Sequence, residues 1–194
     1  MKRTTLLIIV GVVALLVAYG VSTYNSLAKA SQEVASAWSN VETQYQRRSD
    51  LIPNLVNTVK GYAAHEEQTL QSVVEARAAA TSVTVDGANM TAEQFAQYVD
   101  AQGKVTSALG RLIAVAESYP ELKANQNFLE LQAQLEGTEN RIAVERQRYN
   151  EVVKSFNQRV VTFPNNIVAS MFGFGAKEFF AAQQGAETAP VVEF

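Results

Sequence analysis

The sequence predicts an all-α protein: an up-and-down antiparallel bundle of three to four long helices, the first continuous with an N-terminal transmembrane helix and kinked or broken at Pro53. Three observations predict it. Residues 6–21 read LLIIVGVVALLVAYGV without a charge. Beyond them, apolar side chains recur at three- and four-residue spacing, the period of a helix with one buried face. No stretch alternates with the period of two that a half-buried strand requires. The 194 residues fit a single domain of ordinary size.

The apolar run is the first element. Thr4, Thr5, Ser22 and Thr23 flank it and extend the tolerable span to about 20 residues, the length a helix needs to cross a bilayer. A cleaved signal peptide has an apolar stretch of only about 7–15 residues, followed soon by small residues at the cut. Here Ala18-Tyr19-Gly20 lies inside the run and Ala28-Lys29-Ala30 lies well past it, so an uncleaved anchor is expected. Lys2 and Arg3 before the span outweigh Lys29 after it, which places the N-terminus in the cytoplasm. Without those two residues, fourteen basic side chains face nineteen acidic ones, so the bundle would carry a charge of −5 outside the membrane.

The helix then runs straight on. Seven-residue steps join Leu27, Val34, Val41, Arg48, Leu55 and Tyr62, and a partner stripe holds Tyr24, Ser31, Trp38, Tyr45, Ile52 and Val59. Pro53 deletes a backbone hydrogen bond and crowds the carbonyl four residues earlier, so a kink or break is expected there, with Asp50 available to cap a restart. The pattern continues to about Ala80. Residues 81–90, with Asp86-Gly87, form a polar connection. Thr91 followed by Gln94 has the form of a capping box. It opens a helix of about 43 Å whose stripe holds Phe95, Tyr98, Gln102, Val105, Leu109, Leu112, Ala116 and Tyr119. Pro120 suits the first turn of a last helix of about 65 Å, striped by Phe128, Leu135, Ile142, Tyr149, Phe156 and Phe163. Short links between such helices make neighbours antiparallel.

Polar residues interrupt the stripes. Arg48 falls on the core line, and a buried arginine needs a carboxylate partner; Arg48, or Arg47 beside it, is expected to pair with an acidic residue of another helix, Glu145 being the first candidate and Glu117 the second. The alternative is that Arg48 turns to the rim and its guanidinium reaches water. Trp38 and the tyrosines at stripe spacing read as core rather than a ligand cage. From Phe163 the chain mixes Phe, Met, Ile and Gly and ends in PVVEF. So apolar a stretch folds back on the bundle, dips into the membrane interface, or packs on a partner subunit.

Composition closes several functional classes. Without cysteine there is no disulfide, no Cys-ligated metal and no Cys nucleophile. His65 is the only histidine, so two-histidine zinc motifs are excluded, and Glu66-Glu67 point about 100° apart on a helix, unsuited to shared acid–base work. A net charge of −3 leaves no footprint for nucleic acid. No cofactor or metal is expected.

Several strings resemble the LemA family of bacterial membrane proteins. They are Ala37-Trp38-Ser39-Asn40-Val41-Glu42, Gln46-Arg47-Arg48-Ser49-Asp50-Leu51-Ile52-Pro53-Asn54, Val59-Lys60-Gly61-Tyr62-Ala63-Ala64-His65-Glu66, Glu117-Ser118-Tyr119-Pro120 and Phe163-Pro164-Asn165-Asn166-Ile167. The resemblance covers almost the whole chain and implies a single-pass anchor carrying a helical bundle, with no reaction attached. It implies a bacterial membrane protein; the charge count places the N-terminus in the cytoplasm and the bundle outside the inner membrane, and the resemblance keeps the opposite topology as the alternative. Connections near Asp86 and at residues 185–189 look like places where members differ freely.

The expected organisation is therefore an anchor in residues 1–22, a bundle in 23–163 and an aromatic, Gly-containing segment in 164–194. The expected function is a non-catalytic interaction or scaffold protein that touches the bilayer through residues 6–21 and binds a second copy or another envelope protein. The candidate interaction or structural set is Trp38, Arg47, Arg48, Asp50, Pro53, Asn54, Lys60, Tyr62, His65, Glu66, Phe163, Pro164, Asn165 and Asn166. The alternative is a membrane-shaping or sensor protein whose aromatic tail contacts lipid. A metal-dependent enzyme built on His65 with Glu66 or Glu67 ranks behind both.

Overall fold

The computed structural model describes residues 2–181 apart from residue 88. It is all-α, with no strand among the described residues. The helices are α1 (Lys2–Lys60), α2 (Glu67–Ser82), α3 (Ala92–Glu117), α4 (Pro120–Lys123), α5 (Gln126–Val161) and α6 (Asn165–Met171). The terminal PVVEF and residues 185–189 lie outside the described residues.

One helix of 59 residues carries the apolar run into the bundle without a break. Its first stretch stands clear of the other helices, with Leu7 and Leu15 more than two-thirds exposed. Of the two outcomes expected at Pro53, a kink or a break, the break is absent, and Asp50 is not a cap: it sits mid-helix and accepts a hydrogen bond from Gln46 Nε2 at 2.7 Å. The reason lies on α2. Proline has no N–H to offer Ser49 O, the carbonyl four residues earlier. Arg77 Nε donates to that oxygen at 2.9 Å and fills the gap. The chain turns back only at residues 61–66, so Tyr62, expected on the core line, is instead exposed.

The capping box forms as expected: Gln94 N donates to Thr91 Oγ1 at 3.2 Å, and Thr91 N to Gln94 Oε1 at 3.0 Å. The last long helix is shorter than its sequence pattern. Pro120 does open a helix, but α4 is a single turn, and Asn125 then caps α5 by accepting from Phe128 N at 3.0 Å. The 36 residues of α5 span about 54 Å. Phe163 falls beyond its end and is 76% exposed, not core.

Pairs across the bundle give its topology. On α1 and α5 the partners are Tyr19 with Asn165 just past α5, Trp38 with Tyr149, and Arg48 with Glu139. Rising numbers on one meet falling numbers on the other, so the two run antiparallel. On α1 and α3, Trp38 meets Tyr98 and Arg48 meets Gln102 and Thr106, both rising together, so these two run parallel. Up-down-up-down order follows.

The core has two parts. The part nearer the apolar run holds Leu27, Val34, Trp38, Val41, Tyr45, Phe95, Tyr98, Tyr149, Phe156 and Phe180. The far part holds Ile52, Leu55, Val59, Leu70, Val73, Leu109, Leu112, Leu122, Phe128 and Leu135 with several alanines. Arg48 lies between them.

Candidate functional site

The stripe of α1 brings Arg48 to the centre of the bundle, 1% exposed. Both of its terminal nitrogens are engaged rather than turned to water. Nη1 donates to Glu139 Oε1 at 2.8 Å and to Thr106 Oγ1 at 2.7 Å. Nη2 donates to Gln102 Oε1 at 2.7 Å and to Gln102 O at 3.1 Å, and the guanidinium lies 5.0 Å from the Tyr45 ring centre. The partner is therefore Glu139, not Glu145 or Glu117. Glu145 instead accepts from Arg148, one turn along α5, at 2.7 Å. Antiparallel register sets 139 opposite 48, which the pattern of a single helix does not reveal. With three helices meeting at one guanidinium, the layer specifies how α1, α3 and α5 align.

On one side of this layer opens a cleft of about 680 Å3. Arg47, Asp50, Glu42, Arg77 and Thr81 line it with Arg48, and the buried Ser49 hydroxyl makes no hydrogen bond there. Burial raises the Glu42 carboxyl above its usual pKa. Both charge signs occur in the cleft, so it suits a polar protein surface better than a simple anion. A shallower cleft farther along α1 is lined by Asn54, Asn57, Asn127 and Glu130.

Trp38 is the hub of the aromatic core. Its ring stacks on Phe180 at 5.8 Å with 5° between planes, and Tyr98 and Tyr149 approach at 5.0 and 5.6 Å. The C-terminal segment that delivers Phe180 is held by two side-chain amides of α5. Asn150 Nδ2 donates to Phe180 O and Asn150 Oδ1 accepts from Phe180 N, both at 2.9 Å. Asn157 makes the same pair of bonds to the backbone of Lys177 at 2.9 and 2.8 Å. Of the three readings for this segment, residues 174–181 follow the fold-back.

The remaining candidates lie at the two ends. At the far tip, Asn125 Nδ2 donates to Tyr62 OH at 2.8 Å and Tyr119 OH donates to Glu66 Oε1 at 3.1 Å. Pro53, Asn54, Lys60 and His65 are exposed on or near this end. At the anchor end, Asn165 accepts from Tyr19 OH at 2.8 Å, while Phe163, Pro164 and Asn166 face outward. The candidates thus divide among a central layer, a tip and a base. Among the described residues, no group of three or more His, Asp and Glu is placed to hold a metal ion.

Sequence reasoning placed Gln102 on the stripe without its role as an acceptor for Arg48, and it missed Glu139, Thr106 and Arg77 as partners, the packing of Gly87 and the Asn150–Asn157 clamp. The clamp had a signal, two asparagines seven residues apart beside the core stripe. Gly87 had only its place in a connection expected to vary freely. It lies flat on Trp38, where a Cβ would stand 2.5 Å from the indole Cδ1.

The chain is 27% identical to magnetosome protein MamQ 2 of Paramagnetospirillum magneticum over 186 residues, covering 87% of this chain and 68% of that one. It is 25% identical to protein LemA of Metamycoplasma hominis over 160 residues, covering 82% and 69%. MamQ of Magnetospirillum gryphiswaldense is 25% identical over 186 residues, covering 87% and 68%. The LemA family profile matches residues 37–194, and the chain belongs to the LemA family.

Proposed function

We propose that this protein is a membrane-tethered, non-catalytic interaction module that presents its bundle to a second copy or to another envelope protein. The observation that carries the reading is the continuity of α1: the same helix that is long and apolar enough to cross a bilayer forms one wall of the bundle. A bundle fixed to its span in this way holds its clefts at a set height above the membrane. The charged cleft beside Arg48, with Arg47, Asp50 and Arg77 at its edge, is the surface best suited to a protein partner. The names of the relatives above refer to a cellular body or to the family, none to a reaction. Lys2 and Arg3 ahead of the span favour a cytoplasmic N-terminus and an extracytoplasmic bundle in the inner membrane.

Photo-crosslinking tests the reading. A photoreactive residue replacing Arg47 or Asn54 in membranes is expected to trap a second copy or one discrete partner. Trapping only monomer at both positions overturns it. Protease access to a C-terminal tag in intact cells fixes the side of the membrane.

A further inference from the structure

We propose that α6 and the residues flanking it form a second membrane contact, an apolar foot seated in the headgroup and acyl boundary where α1 leaves the bilayer. This rests on the reading that residues 6–21 cross the membrane.

The foot is apolar on its outer side and packed on its inner side. Val168 and Ala169 are buried against the bundle, while Ile167 and Met171, four apart on one face, are 58% and 74% exposed. Phe163 and Phe172 at the two ends are 76% and 56% exposed. No charge occurs from Val160 to Ala176, and Arg159 and Lys177 bracket that stretch. An outward apolar face of this size is costly in water and natural at a lipid surface.

Its position relative to the span says what covers it. Tyr19, inside the apolar run, donates from its hydroxyl to Asn165 at 2.8 Å. Tyr24, one turn past the run, packs its ring on Phe172 at 4.8 Å and on Phe174 at 5.7 Å. The sixteen residues 6–21 rise only about 24 Å, less than the hydrocarbon core of about 30 Å. A helix centred on that core brings Tyr24 to its edge and leaves Tyr19 about 7 Å inside it, so α6, bonded to Tyr19 and packed on Tyr24, lies across that boundary. Tyrosine at that level is the residue an interface favours. The foot then supplies apolar surface where the span falls short, and its uncharged asparagines and serine meet the headgroups.

The sequence has no cysteine, so single-cysteine variants need no prior removal. Ile167→Cys and Met171→Cys, in the full chain, are each labelled with an environment-sensitive fluorophore and reconstituted in phosphatidylcholine–phosphatidylglycerol vesicles containing lipids with a nitroxide near the headgroup or, in a parallel set, deep on the acyl chain. Leu15→Cys reports on the span and Glu121→Cys on the exposed far tip. The expected result is blue-shifted emission at positions 167 and 171, with quenching several-fold above that at 121. If Leu15→Cys is quenched while 167 and 171 respond no more than 121, the foot is overturned and the anchor stands. Emission that is blue-shifted at 167 and 171 but unquenched by the lipid nitroxide means a second protein surface covers the face, which also overturns the foot. If Leu15→Cys is itself unquenched, the anchor reading fails and takes the foot with it.

Discussion

Beyond Arg48, toward the tip, the bundle has four helical walls and a core of leucine, isoleucine, valine and alanine. Toward the anchor, α2 no longer reaches, and the core changes to tryptophan, tyrosine and phenylalanine. Val83, Val85 and Met90 of the α2–α3 connection, with Phe174 and Phe180 of the C-terminal strap, take the place of the missing wall. The difference teaches how a bundle is closed with unequal helices. Where four helices meet, alanines such as Ala101, Ala108 and Ala116 let the backbones approach. Where one helix is missing, large rings span the wider gap, and the backbone that delivers the last ring is tied down by side-chain amides because it has no helix of its own.

The comparison is most sharply broken at its hub. Trp38→Ala is expected to lower stability by about 3–5 kcal/mol, measured by denaturant unfolding, and to expose the strap. If the amides of Lys177 and Phe180 stay protected from hydrogen exchange in that variant, the strap does not depend on the aromatic core. Next in size is the polar layer between the cores. Glu139→Ala leaves Arg48 buried with only neutral partners and is expected to cost about 1.5–3 kcal/mol, the range for a hydrogen bond to a charged group. Arg48→Met, which removes the buried charge itself, is expected to stay within about 1 kcal/mol. Equal losses would mean that the ion pair contributes net stability, against its reading as a register device.

A smaller effect tests the connection. Gly87→Ala forces a methyl group against Trp38 and is expected to cost about 1–3 kcal/mol by calorimetry; no change would show that the connection lifts freely off the aromatic core. The last effect is silent at neutral pH. Burial, aided by the Glu178 charge, pushes the Tyr149 phenol up to about 12, and burial raises Tyr98 and Tyr45 as well. Phenols that hold their protons more tightly when folded stabilise the fold below pH 10, and that contribution is lost as pH rises toward 12. Near-UV circular dichroism from the aromatic core should therefore vanish together with the appearance of tyrosinate absorbance, above pH 10. Tyrosinate appearing with the signal intact would separate ionisation from unfolding.

Much of this was legible in one dimension. Leu27, Val34, Val41 and Leu55, and with them Trp38, Tyr45, Ile52 and Val59, are buried as the stripes predict, because a helix face repeats with a fixed period. The Thr91 cap was legible because its partners lie three residues apart. Arg48 was legible as a buried charge, but its acceptor was not, since register between helices is a property of the pair. That Pro53 leaves α1 unbroken was not legible for the same reason: the donor that rescues Ser49 O comes from α2, outside any local rule. The fold-back of the strap was one of three readings, and the segment's lack of periodicity left nothing to choose among them; its two clamps become decisive only beside the backbone they hold.

The bond from Arg77 to Ser49 has a mechanical meaning. It is the splice in a beam: the carbonyl that proline leaves without a donor, the natural weak point of α1, is reinforced from a neighbouring element. The stiffness of the rod is thus not a local property of α1 but depends on α2 being docked. Arg77 also lines the charged cleft, so an acidic partner that drew its side chain away from Ser49 would loosen the rod at that point. Binding at the cleft and bending of the span's own helix would then be two readings of one hydrogen bond.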